Sequence, residues 1–331
     1  MIDGVRQSQS VSVRLATDEA DAALAVLTMR RTGSSPAAVD LARVFATDGY
    51  KRLQTREAAM GRAFTDSAFR AFLLSDTLLR RTAALGRALD AYERMNVRSA
   101  AARALRYLPS EATIHATLYL MIKPKTNSFV FDFPDGRAIF IYVDPAKAAH
   151  VVEHDVLTHE LHHIGYDAAC VTSAGDSSPT ALARRWLGAF GEGLAMLAAA
   201  GGPNVDPHAL SAPSERARWR HDFAQWRADL PRVEHFLMDV ASGHLTNADS
   251  IQAAAATFYG DAQGAWYTVG YAMGTTVERT FGRERLVRAI CDPQKLLALY
   301  NAAAKVYNRS HRAGDRIPLW SDALLRLLGA P

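Results

Sequence analysis

The chain is poor in cysteine, with only two among its 331 residues. Cys170 and Cys291 are too few for a disulfide-rich scaffold or for a zinc site built from thiolates. They could form one bridge, but the favoured interpretation is a pair of free, buried thiols.

The sequence also lacks a strong excess of charge and a long apolar run. Its 38 basic and 34 acidic residues leave a net charge of +4, and the arginines are spread along predicted helices, which argues against a nucleic-acid partner.

No apolar run approaches the roughly 20 residues of a membrane helix, so no integral membrane segment is expected. The opening MIDGVRQSQSVSV has no apolar signal-peptide core, which predicts a cytoplasmic location. A periplasmic or secreted location is the alternative if a signal has been removed.

Hydrophobic periodicity predicts a predominantly helical α+β fold in three regions. Residues 1–110 have the apolar spacing of helices, and residues 111–203 carry strand-like segments followed by two helices. Residues 204–331 are predicted to be helical again. No clear linker separates these regions, so they could form one continuous catalytic unit.

The strand-like segments predict a small, mainly antiparallel sheet. They are TIHATLYLMI (113–122), FVFDF (129–133) and RAIFIYV (137–143), with a turn at Pro134-Asp135-Gly136. RAIFIYV is apolar on both faces and is therefore predicted to be central, whereas the short FVFDF suits an edge.

The stretch HELHH, residues 159–163, contains the pattern H-E-x-x-H on a predicted helix that ends near Gly165. Residues four apart share a helical face, so His159 and His163 can present two imidazoles to one metal ion. Glu160 then lies beside the ion and can take a proton from metal-bound water, whose pKa zinc lowers to about 7. His162 is predicted to hydrogen-bond locally. The alternative is a polar surface cluster without a metal.

A third ligand is needed, because catalytic zinc usually has three protein ligands and one open position. Glu192 follows His163 by 29 residues and has small apolar helical neighbours, where a carboxylate is costly unless it is paired or metal-bound. Gly191 and Gly193 would let its helix approach the histidine helix closely. The alternative for Glu192 is a salt bridge to an arginine such as Arg184.

These motifs resemble known metallopeptidases. The HExxH pattern followed by GEGLA (191–195) resembles the gluzincins, whose third ligand is such a helical glutamate. More closely, the chain resembles an uncharacterised bacterial family of predicted zinc-dependent proteases with a domain of unknown function, through DGYKRLQTREA, IKPKTNSFVF, HELHHIGY, GEGLA and YTVGYAMG. The resemblance implies a zincin-like core and a Zn²⁺ cofactor. Met196 stands where thermolysin-like enzymes carry an aspartate, so the surroundings of the third ligand must differ.

The segment YTVGYAMG offers phenols that could stabilise an oxyanion. Tyr267 and Tyr271 lie four residues apart, and a phenol or imidazole commonly donates a hydrogen bond to the charge that develops during attack on a carbonyl. Tyr267-x-x-Gly270 also resembles the stretch that carries the catalytic tyrosine of gluzincin aminopeptidases. Tyr267 is therefore predicted to be catalytic, with Tyr271 second and His244 third. The alternative is that both tyrosines simply pack.

The predicted function is zinc-dependent hydrolysis of a peptide or protein, with Glu160 as the general base. An extended substrate is expected along the edge strand at residues 128–131. Two alternatives stay open: a zinc hydrolase that acts on a non-peptide amide or ester, and a non-catalytic binding protein with a structural metal.

Overall fold

The computed structural model describes residues 10–170, 176–260 and 263–330. Residues 1–9, on which the signal-peptide prediction largely rests, lie outside the described residues. Contacts divide the chain into two compact units. We call residues 11–99 and 114–160 the sheet unit, and the described residues among 100–113 and 161–330 the helical unit. The division into the three regions 1–110, 111–203 and 204–331 remains a prediction.

Residues 18–105 are largely helical, as the apolar spacing predicted. Several of these helices begin at Thr or Ser: Thr47, Thr65 and Ser75 each accept a hydrogen bond from the backbone amide three residues on, which satisfies an amide that the helix leaves free. The helices are α1 (Asp18–Arg31), α2 (Ala38–Ala46), α3 (Asp48–Ala59), α4 (Asp66–Leu73), α5 (Asp76–Arg80), α6 (Thr82–Glu93) and α7 (Val97–Leu105).

The sheet has four strands: β1 (Ser10–Ala16), β2 (Thr113–Met121), β3 (Phe129–Phe133) and β4 (Gly136–Tyr142). Their order is β1-β2-β4-β3, so the central position of β4 and the edge position of β3 are confirmed. β4 pairs parallel with β2 and antiparallel with β3. The prediction of a mainly antiparallel sheet was therefore wrong, because the sheet is mixed.

The mixed order follows from the burial of β4. Its residues from Ala138 to Tyr142 are all buried, so this strand takes an interior place with a neighbour on each side. The chain therefore passes from β2 to the outer edge, forms β3, and returns through the turn at Pro134-Asp135. β1 was not predicted. Its residues are half-buried or exposed, and SVSVRLA carries a weak apolar signal.

The metal-motif helix is longer than predicted. It runs without a break through α8 (Ala149–Val151), a π-helical turn (Val152–Leu157) and α9 (Thr158–Ala169). Gly165 was predicted to end it, which was wrong. This glycine is buried within α9, and the helical hydrogen bonding continues to the bond from the Cys170 amide to the Tyr166 carbonyl.

Helices make up the rest of the helical unit. Its core contains the fully buried Trp266, Trp320 and Phe190, and the rings of Phe190 and Trp266 pack with centroids 5.2 Å apart. None of the described helices is long and apolar enough to span a membrane. The helices are α10 (Pro179–Leu187), α11 (Gly191–Ala200), α12 (Pro213–Ala224), α13 (Trp226–Ala241), α14 (Ala248–Thr257), α15 (Ala265–Phe281), α16 (Arg283–Ala289), α17 (Pro293–Arg309) and α18 (Asp322–Leu328).

A disulfide joins Cys170 to Cys291 within the helical unit. The interpretation of the cysteines as free thiols was therefore wrong. Cys170 directly follows α9, and Cys291 lies between α16 and α17, so the bridge ties the end of the motif helix to the C-terminal helices. A sequence separation of 121 residues hid the pairing, because spacing alone does not reveal connectivity.

Candidate metal centre

The two motif histidines and the glutamate come together as the sequence suggested. His159 and His163 lie one turn apart on α9, and Glu192 is the second residue of α11. One ligand atom from each lies within 4.8 Å of the others, and His163 Nε2 is 3.2 Å from Glu192 Oε2. Arg184, the alternative partner of Glu192, donates from Nε to the Leu328 carbonyl instead.

The donor set fits a catalytic zinc ion. Two imidazole nitrogens and one carboxylate oxygen are a ligand set of catalytic zinc, and three ligands leave a fourth position open for water or substrate. All three side chains are half-buried, so solvent can reach the group. His162 is fully buried and lies outside this group, with its ring 6.4 Å from that of Tyr166. Among the described residues, no other cluster of three such ligands was found.

Glu192 is the only polar side chain of the helix α11. Every other residue of α11 is buried, and Glu192 alone is half-buried. The helix ends where Gly201 adopts a left-handed φ of 79°, a conformation that favours glycine. Its packing against the core on all other sides therefore fixes the direction in which Glu192 points.

Gly193 permits a close approach, but to a different helix from the one predicted. A Cβ built on Gly193 would fall 2.1 Å from the Tyr271 amide nitrogen and 2.4 Å from the Tyr267 carbonyl oxygen, both on α15. A Cβ on Gly191 would meet nothing within 4 Å. The prediction that both glycines face the histidine helix was therefore wrong. Gly193 instead allows α11 and α15 to touch through their backbones.

Gly193→Ala is expected to destabilise the fold by about 1–3 kcal/mol or more, because the added methyl meets rigid backbone rather than a flexible side chain. Zinc affinity should fall as well, since Glu192 moves with α11. Thermal unfolding and zinc titration measure both effects. Gly191→Ala on the other side of Glu192 is the matched control and should change little. Equal melting temperatures in the two variants would contradict the close contact.

Tyr267 is half-buried among buried neighbours on α15, as Glu192 is on α11. All residues from Ala265 to Thr275 are buried except Tyr267, which is half-buried. Its backbone carbonyl lies against Gly193, the residue that follows Glu192 in the chain.

The other two candidates for oxyanion stabilisation lie in different surroundings. The Tyr271 side chain is 6% exposed, and its hydroxyl donates to the Val205 carbonyl at 3.0 Å. His244 is largely exposed after α13, and its Nδ1 lies 3.1 Å from the Ser242 hydroxyl. The Tyr271 hydroxyl therefore has a backbone partner of its own, and the His244 imidazole is exposed to solvent.

Met196, four residues after Glu192 on α11, contacts a polar side chain. Its sulfur accepts a hydrogen bond from Gln263 Nε2 at 3.5 Å, and Gln263 Oε1 lies 2.9 Å from His208 Nε2. His208 Nδ1 in turn lies 3.0 Å from the Ser211 hydroxyl. Met196 on α11 therefore contacts one end of a chain of hydrogen-bonded side chains that runs through Gln263 and His208 to Ser211.

Sequence reasoning missed two features of the site. The π-helical turn directly before the motif widens the helix, and such turns are frequent at functional sites. Tyr259 was also missed. Its ring packs against Tyr267 with centroids 6.5 Å apart, burial raises the pKa of Tyr259, and the negative charge of Glu192 raises it further. No motif marks either feature in the sequence.

The comparison with protein families agrees with this donor set. Residues 41–309 match the family described as "Putative zinc dependent peptidase (DUF5700)". The chain belongs to this family. The matched range of the zinc dependent peptidase family includes the HExxH motif, Glu192 and Tyr267. No curated protein and no solved structure matches the chain.

Proposed function

We propose that this protein is a zinc-dependent metallopeptidase with a zincin-like site that hydrolyses peptide bonds. The observation that carries the proposal is the convergence of ligand atoms from His159, His163 and Glu192 within 4.8 Å. Membership of a family described as zinc dependent peptidases supports it. The three donors suit zinc, and Glu160 follows the first of them directly.

Each side chain of the site has a defined part in this proposal. Bound zinc would supply a Lewis acid that acidifies a water molecule and polarises the scissile carbonyl. His159, His163 and Glu192 would hold the ion. Glu160 takes the proton from the attacking water as the carbon–oxygen bond forms, and passes it to the leaving amine as the carbon–nitrogen bond breaks.

Tyr267 is proposed to stabilise the negative charge that develops on the carbonyl oxygen. Tyr267→Phe should lower kcat by roughly two to three powers of ten, the usual loss for one oxyanion donor, with little change in KM or zinc content. Tyr271→Phe is the matched comparison on the same helix, because the Tyr271 hydroxyl is bonded to the Val205 carbonyl. A large loss of kcat in Tyr271→Phe with normal turnover in Tyr267→Phe would reverse the assignment.

We also propose that an extended substrate pairs with β3 through main-chain hydrogen bonds. Within the described residues, β3 forms an end of the sheet, and edge strands offer unpaired backbone groups to peptides. Hydrogen–deuterium exchange with and without a peptide inhibitor tests this. Amides of Phe129–Phe133 should become protected, whereas protection of β1 at the opposite end would contradict the proposal.

A digest of a peptide library, with and without a chelator, tests the proposed reaction. Cleavage that is lost with the chelator and restored by added zinc is expected. A chain that cleaves no peptide but hydrolyses small amides or esters in the same zinc-dependent way would support the non-peptide alternative. Stoichiometric zinc that neither exchanges nor supports any hydrolysis would support a structural metal.

We infer that the protein works in an oxidising compartment. The Cys170–Cys291 disulfide supports the periplasmic or secreted alternative, because such bonds persist outside the cytosol and are rare within it. Fractionation of native cells with thiol labelling tests this inference. We expect the bridged form outside the cytosol, and a fully reduced protein in the cytosolic fraction would contradict it.

A further inference from the structure

Tyr259 is held in a fixed position at the beginning of α15. The Gly264 amide donates to the Tyr259 carbonyl at 2.8 Å, and the Trp266 amide donates to the Phe258 carbonyl at 3.1 Å. A Cβ on Gly264 would fall 2.5 Å from the Phe258 carbonyl oxygen, so this turn accepts only glycine there without moving. The backbone of Tyr259 is therefore locked against the helix that carries Tyr267.

The Tyr259 ring packs against the ring of Tyr267, the proposed oxyanion donor. Its plane meets that of Tyr267 at 73° with centroids 6.5 Å apart, an edge-to-face contact. Burial raises the pKa of the Tyr259 phenol, and the Glu192 carboxylate raises it further. Glu192, Tyr259 and Tyr267 all belong to the helical unit.

The Tyr259 hydroxyl differs from the hydroxyls of three buried tyrosines in the same unit. Buried tyrosine hydroxyls normally find a partner. Tyr107 donates to Glu278, Tyr271 to the Val205 carbonyl and Tyr300 to the Pro318 carbonyl. Among the described residues, the half-buried Tyr259 has no such hydrogen bond from its hydroxyl. This leaves a positioned hydroxyl next to Tyr267 that can donate to a ligand.

We propose that Tyr259 is a second phenol of the active site, which donates a hydrogen bond to the scissile carbonyl oxygen of the substrate alongside Tyr267. This inference rests on the proposed peptidase function. The phenol stays protonated near neutral pH, so it acts as a donor and not as a base. Two donors beside the metal would share the negative charge that the attack places on this oxygen.

Replacement by phenylalanine separates hydrogen bonding from packing, because the ring and its contact with Tyr267 are kept. Tyr259→Phe should lower kcat about 10- to 100-fold, with KM and zinc content little changed. The Kd of a phosphoryl-Leu-Trp dipeptide, whose tetrahedral anionic group imitates the attacked carbonyl, should rise by a similar factor in calorimetry. Tyr300→Phe, which also removes a buried hydroxyl, is the control and should change neither kcat nor this Kd.

A structural role predicts the opposite pattern. If Tyr259 only packs, Tyr259→Phe keeps kcat and the phosphoryl-dipeptide Kd within twofold of the unsubstituted protein, and only Tyr259→Ala loses activity; that result overturns the inference. The binding measurement also separates this inference from the proposed function. If the unsubstituted protein cleaves no peptide, the peptidase proposal fails, while a Kd that weakens in Tyr259→Phe still supports the contact.

Discussion

Glu160→Gln is expected to lower peptide hydrolysis by about 10²–10⁴-fold while zinc stays bound. Glutamine has almost the same shape as glutamate, but its amide cannot accept a proton from the attacking water. The metal ligands are unchanged, because Glu160 is next to His159 in the chain and is not a member of the ligand group. Turnover of a cleaved library peptide and zinc content are measured on the same sample.

A second acid on the motif helix provides the control for this experiment. Glu153 lies in the π-helical turn and accepts a hydrogen bond from the Asn96 amide at 2.8 Å, so its role is structural. Glu153→Gln should keep turnover close to normal, with at most a modest loss of stability. Normal turnover in Glu160→Gln would show that another group takes the proton.

Removal of the disulfide should have the largest effect on stability. The bridge closes a loop with a sequence separation of 121 residues, and loss of such a bridge typically costs about 2–5 kcal/mol. In a unit of the size of the helical unit, which contains both cysteines, this loss corresponds to a fall in Tm of roughly 5–15 °C. The Cys170→Ser/Cys291→Ser variant should also bind zinc more weakly, because Cys170 anchors the end of α9.

Reductant provides a matched test of the same bond. Reduction of the unsubstituted protein should lower its Tm towards that of the double serine variant, and the same reductant should leave the variant unchanged. An unchanged Tm in both cases would mean that the bridge does not stabilise the fold.

Local patterns in the sequence predicted the features that depend on local physics. The helical period put His159 and His163 on one face, and the small apolar neighbours of Glu192 marked a carboxylate that needs a partner. The apolar faces of residues 137–143 likewise predicted an interior strand, and the shortness of FVFDF predicted an edge.

Features that depend on distant parts of the chain could not be predicted in this way. β2 pairs in parallel with β4, so the strand that follows β2 in the chain, β3, lies on the far side of β4. No local pattern in the sequence specifies this order. The cysteine pairing and the contact of Gly193 with α15 depend on how distant helices meet. Gly165 was misinterpreted because glycine favours helix ends, whereas burial keeps this one inside α9.

Metal analysis of purified protein tests the central claim most directly. The unsubstituted protein should hold about one zinc ion per chain, and His159→Ala and His163→Ala should each lose it. His244→Ala is the control, because this exposed histidine lies outside the ligand group, and it should keep the zinc. Full retention of zinc in both His159→Ala and His163→Ala would contradict the metal centre and the function proposed from it.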